Sequence, residues 1–370
     1  MSDFSKQYSN FLAPEAYIKI EGTKLSGEDL YFTSLEVNKT IDGADIVSFS
    51  IADSISAAFE PNPAHKKLFD LGNKIEIYMG YANSKGTSSI PQVFVGLITN
   101  VSWNFTEDKY LDITIEGYDY SFLLMKHTYD KKPFKEMTIS GIVENLLTNV
   151  YSNSFTKITI ADTKVTYPLI KNDKENDYVF IRTLAQRVGY EFYIDKESFF
   201  FHPAKKESSL FTLFYAQEIL SFKPALNIEK EISEVKVVGL EFSANNKPIV
   251  GEAKLKRPDE DVSTKTGIKA LLRKVNAVTY EVHEDVKSNE EAENRAKALL
   301  HDFSKNLFKA EIKSIGIPEI KPGITITLNG LGKRFSQDYY VEKVVHTFND
   351  QGYETTISVR GSKSSFSLQG

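Results

Sequence analysis

The stretch from Asn176 to Pro203, NDYVFIRTLAQRVGYEFYIDKESFFFHP, constrains the fold more than any other part of the chain. With Asp177 near the N-cap and about 100° of turn per residue, Phe180, Ile181, Leu184, Ala185 and Val188 share one helix face, while Arg182, Thr183 and Gln186 lie opposite. Gly189 supplies the stop, because glycine takes the left-handed conformation that closes a helix without steric cost. Tyr190 to Ile194 then reads as a strand, Asp195 to Ser198 as a polar turn and Phe199 to His202 as the returning strand. The prediction is a helix followed by an aromatic hairpin. It is a pattern of scaffold, with no catalytic arrangement in it.

Around this stretch the periodicity is that of strands. Ile75, Ile77 and Met79 alternate with Lys74, Glu76 and Tyr78, and Ile113 and Ile115 flank Thr114 on the opposite face. Asp42-Gly43 is a hairpin turn between strands at Leu35 to Val37 and Ile46 to Ile51, and Asn83 to Ser89 is a polar loop before Val93 to Val101. Helical spacing appears at Ile139, Ile142, Val143, Leu146, Leu147 and Val150, with Thr138 or Ser140 as the cap. It returns after Ser288-Asn289-Glu290-Glu291, a capping box ahead of Ala292, Ala296, Leu299, Leu300 and Phe303. Beyond that helix, Phe308, Ala310 and Ile312, then Ile324, Ile326 and Leu328, alternate with polar residues.

The expected architecture is therefore β-rich α+β, with two barrel-like β domains flanking a small α/β domain. The expected bounds are 1–128 for the first β-barrel-like domain, 129–222 for the α/β middle domain, 223–361 for the second β-barrel-like domain with one helix, and 362–370 for a C-terminal tail.

A chain of 370 residues is long enough for several cores. A net charge of −5 and no long basic run argue against a dedicated nucleic-acid ligand. With no cysteine, disulfides, thiolate metal sites and cysteine nucleophiles are excluded. The N-terminus lacks a basic segment followed by an apolar core, and no apolar run has membrane-spanning length. Synthesis in the cytoplasm is expected.

Three segments carry a family resemblance. Asn176 to Pro203 closely resembles the second-domain motif of the phage late-control D proteins, the hub family shared by contractile phage tails, pyocin-like particles and the N-terminal half of VgrG proteins. FVGLITNVSW (Phe94 to Trp103) with LDITIEGYDYSFLL (Leu111 to Leu124) is similar to the hairpin that closes the first barrel of that family. PGITITLNGLGKRFSQDYYVEKVVHTFNDQGYETTISVRG (Pro322 to Gly361) has its Pro-Gly turn, glycine loop with Arg-Phe, tyrosine-rich strand leading to a histidine, and final strand after a Gly-Tyr turn.

The resemblance implies a structural hub of a contractile injection system: a homotrimer joining a hexameric tube protein to a trimeric spike, assembled into a contractile particle with baseplate proteins. It implies no catalytic residue, cofactor or metal. After Gly361 only SKSSFSLQG follows, so the spike is expected to be a separate protein. Candidate interface residues are Gly330, Gly332, Lys333, Arg334 and Phe335 in the glycine loop, and Phe366 and Leu368 in the tail.

Other chemistry finds little footing. Gly330-Leu331-Gly332-Lys333 lacks the Ser or Thr and the glycine spacing of a phosphate loop, and reads as a hairpin loop. The six histidines, His65, His127, His202, His283, His301 and His346, form no ligand pair on a helix; His283-Glu284-Asp285 reads as an acidic turn, and His346, alternating outward from Val345, as a structural or interface histidine. Asp259-Glu260-Asp261 reads as solvated surface, and Lys254 to Gly267 as a mobile loop or a contact arm. The competing readings are a tail-associated cell-wall hydrolase, which needs a converging carboxylate pair or metal cluster, and a glycan-binding module using Trp103, Tyr339 or Tyr340.

Overall fold

The computed structural model describes residues 8, 11–25, 31–54, 68–82, 90–105, 110–129, 132–203, 209–227, 232–242, 248–254, 278–284, 286, 288–304 and 308–361. The predicted Asn83 to Ser89 loop, the Asp259-Glu260-Asp261 run, Phe366 and Leu368 lie outside the described residues, as does Lys254 to Gly267 apart from Lys254 itself.

Along the chain, β1 (Pro14–Ile20), β2 (Thr23–Lys24), β3 (Tyr31–Thr40), β4 (Ile46–Ser54), β5 (Lys74–Tyr81), β6 (Gln92–Phe105) and β7 (Tyr110–Tyr118) come first. A mixed stretch follows, with α1 (Ser121–Lys126), β8 (Phe134–Thr138), α2 (Ile139–Val150), β9 (Lys157–Ile160), β10 (Thr166–Ile170), α3 (Asp177–Arg187), β11 (Tyr190–Asp195) and β12 (Ser198–Pro203). Then come β13 (Phe211–Phe214), β14 (Ile219–Leu226), β15 (Glu234–Phe242), β16 (Pro248–Lys254), β17 (Thr279–Glu284), α4 (Asn289–Ser304), β18 (Phe308–Ile315), β19 (Thr325–Asn329), α5 (Gly332–Phe335), β20 (Asp338–Asn349) and β21 (Gly352–Gly361). The chain is β-rich, and most of its strand pairs are antiparallel. It divides into two compact units: 1–206 with 313–323 and 342–357, and 207–312 with 324–341 and 358–370.

In the first unit the strand order β2-β1-β5-β6-β7-β4-β3-β20 is antiparallel throughout. Its register sets Ile18 against Ile77, Phe49 against Ile115 and Val37 against Val47. Because side chains alternate with period two, this register puts Ile18, Ile75, Ile77, Leu35, Val37, Phe49, Ile113 and Ile115 in the core. A slip of one residue would expose the whole set.

The mixed stretch of this unit has its own core, in which Ile142, Val143, Leu146 and Leu147 of α2 meet Phe180, Ile181, Leu184 and Ala185 of α3 and Phe199 and Phe201 of β12. Thr138 caps α2, accepting from the Gly141 amide at 3.1 Å. Ser140, the alternative cap, lies within the helix and donates to Asp162 at 2.9 Å. In α3 the N-cap is Asn176, which accepts from Val179 at 2.9 Å, and Asp177 is the first helical residue. The predicted apolar face is otherwise as expected, and Gly189 follows with φ +70°. β11 and β12 pair as the predicted hairpin, and β9 adds to β12 in parallel.

In the second unit β13 pairs with β19 in parallel, and β19 pairs with β20 in antiparallel fashion, setting Ile326 against Tyr339. A separate sheet, β16-β15-β17, packs Val235, Val237, Ile249 and Ala253 under Ala292, Ala296 and Leu300 of α4. The N-cap half of the capping box forms, with Ser288 Oγ accepting from the Glu291 amide at 3.1 Å. Gly251 allows the helix this close: a Cβ there would lie 2.1 Å from the Ala292 carbonyl carbon.

Candidate functional site

The predicted interface loop is the connection of the β19-β20 hairpin. Gly330 and Gly332 both take positive φ, +82° and +72°, where a side chain would be strained. Between them and β20 the chain makes one helical turn, α5, closed by Ser336 N donating to Gly332 O at 3.0 Å and by Leu331 N donating to Ser336 Oγ at 3.0 Å. Phe335 anchors this turn. Its ring meets Phe222 at 5.6 Å and Phe308 at 6.1 Å, and its carbonyl accepts the Tyr339 hydroxyl at 2.9 Å. Lys333 and Arg334 are exposed, with the Arg334 guanidinium 5.2 Å from the Phe335 ring. The loop is thus an aromatic-anchored knuckle presenting two cations. The glycines shape the turn, and β20 follows where a phosphate loop would have a long helix.

In the first unit, the polar turn of the aromatic hairpin makes tertiary ion pairs. Asp195 accepts from Lys321 Nζ at 3.2 Å, while Glu197 accepts from Lys74 Nζ at 2.9 Å and from the Tyr120 hydroxyl at 3.2 Å. Burial opposes ionisation of Asp195, but the Lys321 and Lys39 charges hold its carboxyl below the ordinary 3.8. Tyr178 of α3 reaches the β3-β4 turn, its hydroxyl accepting from Gly43 N at 2.8 Å, and Arg182 pairs with Asp42 at 2.7 Å.

His346 corrects an expectation. It is wholly buried on the inner face of β20, and Val345 is the residue that turns outward. Nε2–H donates to the Ile320 carbonyl at 3.2 Å, and Nδ1 faces the Tyr353 hydroxyl at 2.9 Å and Thr355 Oγ1 at 3.2 Å. Burial, followed by the nearby Lys39 charge, pushes its pKa down to about 3. A neutral imidazole with both nitrogens engaged and no solvent access is a structural histidine, the first of the two roles expected of it.

A second polar centre had no signal in the sequence beyond the buried end of α3. Asp177 is 0% exposed and accepts three hydrogen bonds: His127 Nδ1 at 2.6 Å, the Tyr151 hydroxyl at 2.6 Å and the Tyr129 amide at 2.7 Å. Every donor is a neighbour in the mixed stretch, so the carboxylate ties α3 to α2 and to the chain leaving α1.

His283 and Glu284 end β17, and Glu284 forms a two-pronged pair with Arg295 of α4 at 2.7 and 2.9 Å, so this acid is structural and not part of a solvated turn. Among the described residues no group of three or more His, Cys, Asp or Glu is placed to hold a metal. No helix among them is long and apolar enough to cross a membrane. Of the three aromatics offered for glycan binding, Tyr339 is completely buried, Tyr340 lies under Arg360 at 4.2 Å, and Trp103 is 52% exposed at the outer end of β6 beside Phe105 at 53%.

No curated protein sequence matches the chain. Its fold is that of phage tail proteins and of a type VI secretion component. It is similar to the 43 kDa tail protein of prophage MuSo2 from Shewanella oneidensis, with TM-score 0.71 and 14% identity over 95% of this chain and 100% of that one. A tail protein from Neisseria meningitidis gives TM-score 0.69 and 12% identity over 95% and 97%. An Escherichia coli component of the type VI secretion system, described as similar to T4 bacteriophage tail proteins gp27 and gp5, gives 0.57 and 12% over 95% and 79%. The family model described as the Alg8 N-terminal domain matches residues 13–350, and the chain belongs to that family.

Proposed function

We propose that the chain is a structural component of a contractile injection system, acting as a trimeric hub that joins a hexameric tube to a trimeric spike. The observation that supports this reading is the end-to-end likeness to two tail proteins of nearly the same length. Two barrel-like β domains per chain, taken three times, would present a pseudo-sixfold ring to the tube and a threefold face to the spike. In this reading the mixed stretch is scaffold at the periphery of the ring. Lys333 and Arg334 on the β19-β20 knuckle meet a partner, and so do Phe366 and Leu368 of the tail. The chain performs no catalysis, and its working contacts are strand edges and barrel faces.

The test is native mass measurement of the purified chain, alone and mixed with a tube protein of a contractile particle. A trimer, or a complex in threefold multiples with the tube protein, is expected. A persistent monomer indifferent to tube and spike proteins counts against the hub, and turnover of peptidoglycan by the isolated chain would replace it with the hydrolase reading.

A further inference from the structure

One corner of the first unit makes neighbours of two acids, Asp45 just before β4 and Asp119 just after β7. Asp45 ends the β3-β4 turn; its Oδ1 accepts the Thr40 amide at 2.9 Å, and its Oδ2 lies 3.6 Å from Lys39 Nζ. The Asp45 carbonyl accepts the Asp119 amide at 3.0 Å, which brings in a second carboxyl that is only 6% exposed. Asp119 in turn accepts the Ser121 amide at 3.0 Å and the Ser121 hydroxyl at 3.2 Å, and so holds the first residue of α1.

The surrounding charges do not balance the pair. Lys39 serves Asp45 while also donating to the Val93 carbonyl at 3.1 Å. Asp195 of β11, a third acid acting on Asp45, has Lys321 as its own partner, with Lys196 beside it. From α3 come the neutral Tyr178 phenol and the Arg182–Asp42 pair, whose Asp42 side chain is exposed.

We propose that Asp45 and Asp119 form a protonation switch built into the fold. With a proton on one of the two acids a single enclosed negative charge faces Lys39; with none, two do, and their repulsion loosens the corner that the Asp45 carbonyl and the Asp119 side chain hold together. Burial, then the Asp45 charge, raises the Asp119 carboxyl well above its ordinary 3.8, and burial raises Asp45 as well, with Lys39 opposing. Such an acid binds more protons folded than unfolded. Its contribution to stability is therefore complete below 3.8 and is lost as pH rises through the raised folded value. The inference does not rest on the hub reading.

The experiment is thermal unfolding of the full chain and of Asp119→Asn between about pH 4 and about pH 9. Asparagine keeps an acceptor for the Ser121 amide and cannot ionise. The expected Tm difference, variant minus parent, is near zero at the acid end and grows with pH to roughly 2–4 °C or more. A flat difference overturns the switch. So does the same growth in Asp42→Asn, whose acid is exposed. Independently of any variant, exchange of the 117–123 amides in the unmodified chain, corrected for intrinsic pH dependence, is expected to accelerate as pH rises; constant protection overturns the proposal.

Discussion

The Tyr151 hydroxyl lies 2.6 Å from Asp177 Oδ2, inside the core of the mixed stretch. Tyr151 follows the last turn of α2, and Asp177 opens α3, so this one hydrogen bond joins the end of one helix to the start of another. Burial and the Asp177 carboxylate both push the Tyr151 phenol upward, which keeps it a donor at any ordinary pH. Asp177→Ala would leave three donors without their acceptor. We expect a loss of about 3 kcal/mol for it and about 1 kcal/mol for Tyr151→Phe, measured by urea unfolding.

His346 gives a pH dependence of opposite sign to that of Asp119. Its folded pKa of about 3 lies below the ordinary 6.5, so the unfolded chain binds the extra proton. Its contribution is fully present above pH 6.5 and is lost as pH falls toward 3. His346→Gln is expected to flatten the acid limb of a Tm profile relative to the parent. An unchanged acid limb would mean that another group sets it.

Gly251 is where α4 touches its sheet. A methyl group 2.1 Å from the Ala292 backbone cannot be absorbed by a rotamer change, because the atoms it meets are main chain. Gly251→Ala should cost about 1–3 kcal/mol by overpacking, read as a lowered midpoint in denaturant.

The knuckle of the β19-β20 hairpin separates anchoring from contact. Phe335→Ala removes the half-buried ring and is expected to cost about 1–2 kcal/mol. Reversing the charges of exposed Lys333 and Arg334 should leave stability within about 0.5 kcal/mol. If the knuckle meets a partner, the same double reversal weakens assembly with tube or spike protein in a pull-down; unchanged assembly removes these two residues from the interface.

Strand and helix identity was legible because it depends on local period. Alternation at Ile75, Ile77 and Met79, the apolar face from Phe180 to Ala185, the stop at Gly189 and the cap at Ser288 all follow from side-chain direction and backbone sterics within a few residues. Alternation alone does not say which face is inner. His346 reads as outward and Val345 as inward from the sequence, since a polar residue on a strand looks solvated until Ile320, Tyr353 and Thr355 arrive from elsewhere to satisfy it.

By itself, then, the sequence determined the elements, the exclusion of cysteine chemistry and the resemblance carried by three segments. Only the tertiary structure decided where charge is buried. Asp177 finds donors as far back as His127, Asp195 meets Lys321, and Asp119 sits against Asp45; each pair is far apart in the chain. The energy of a buried charge is set by which groups stand within a few ångströms of it, and no periodicity along the chain records that distance.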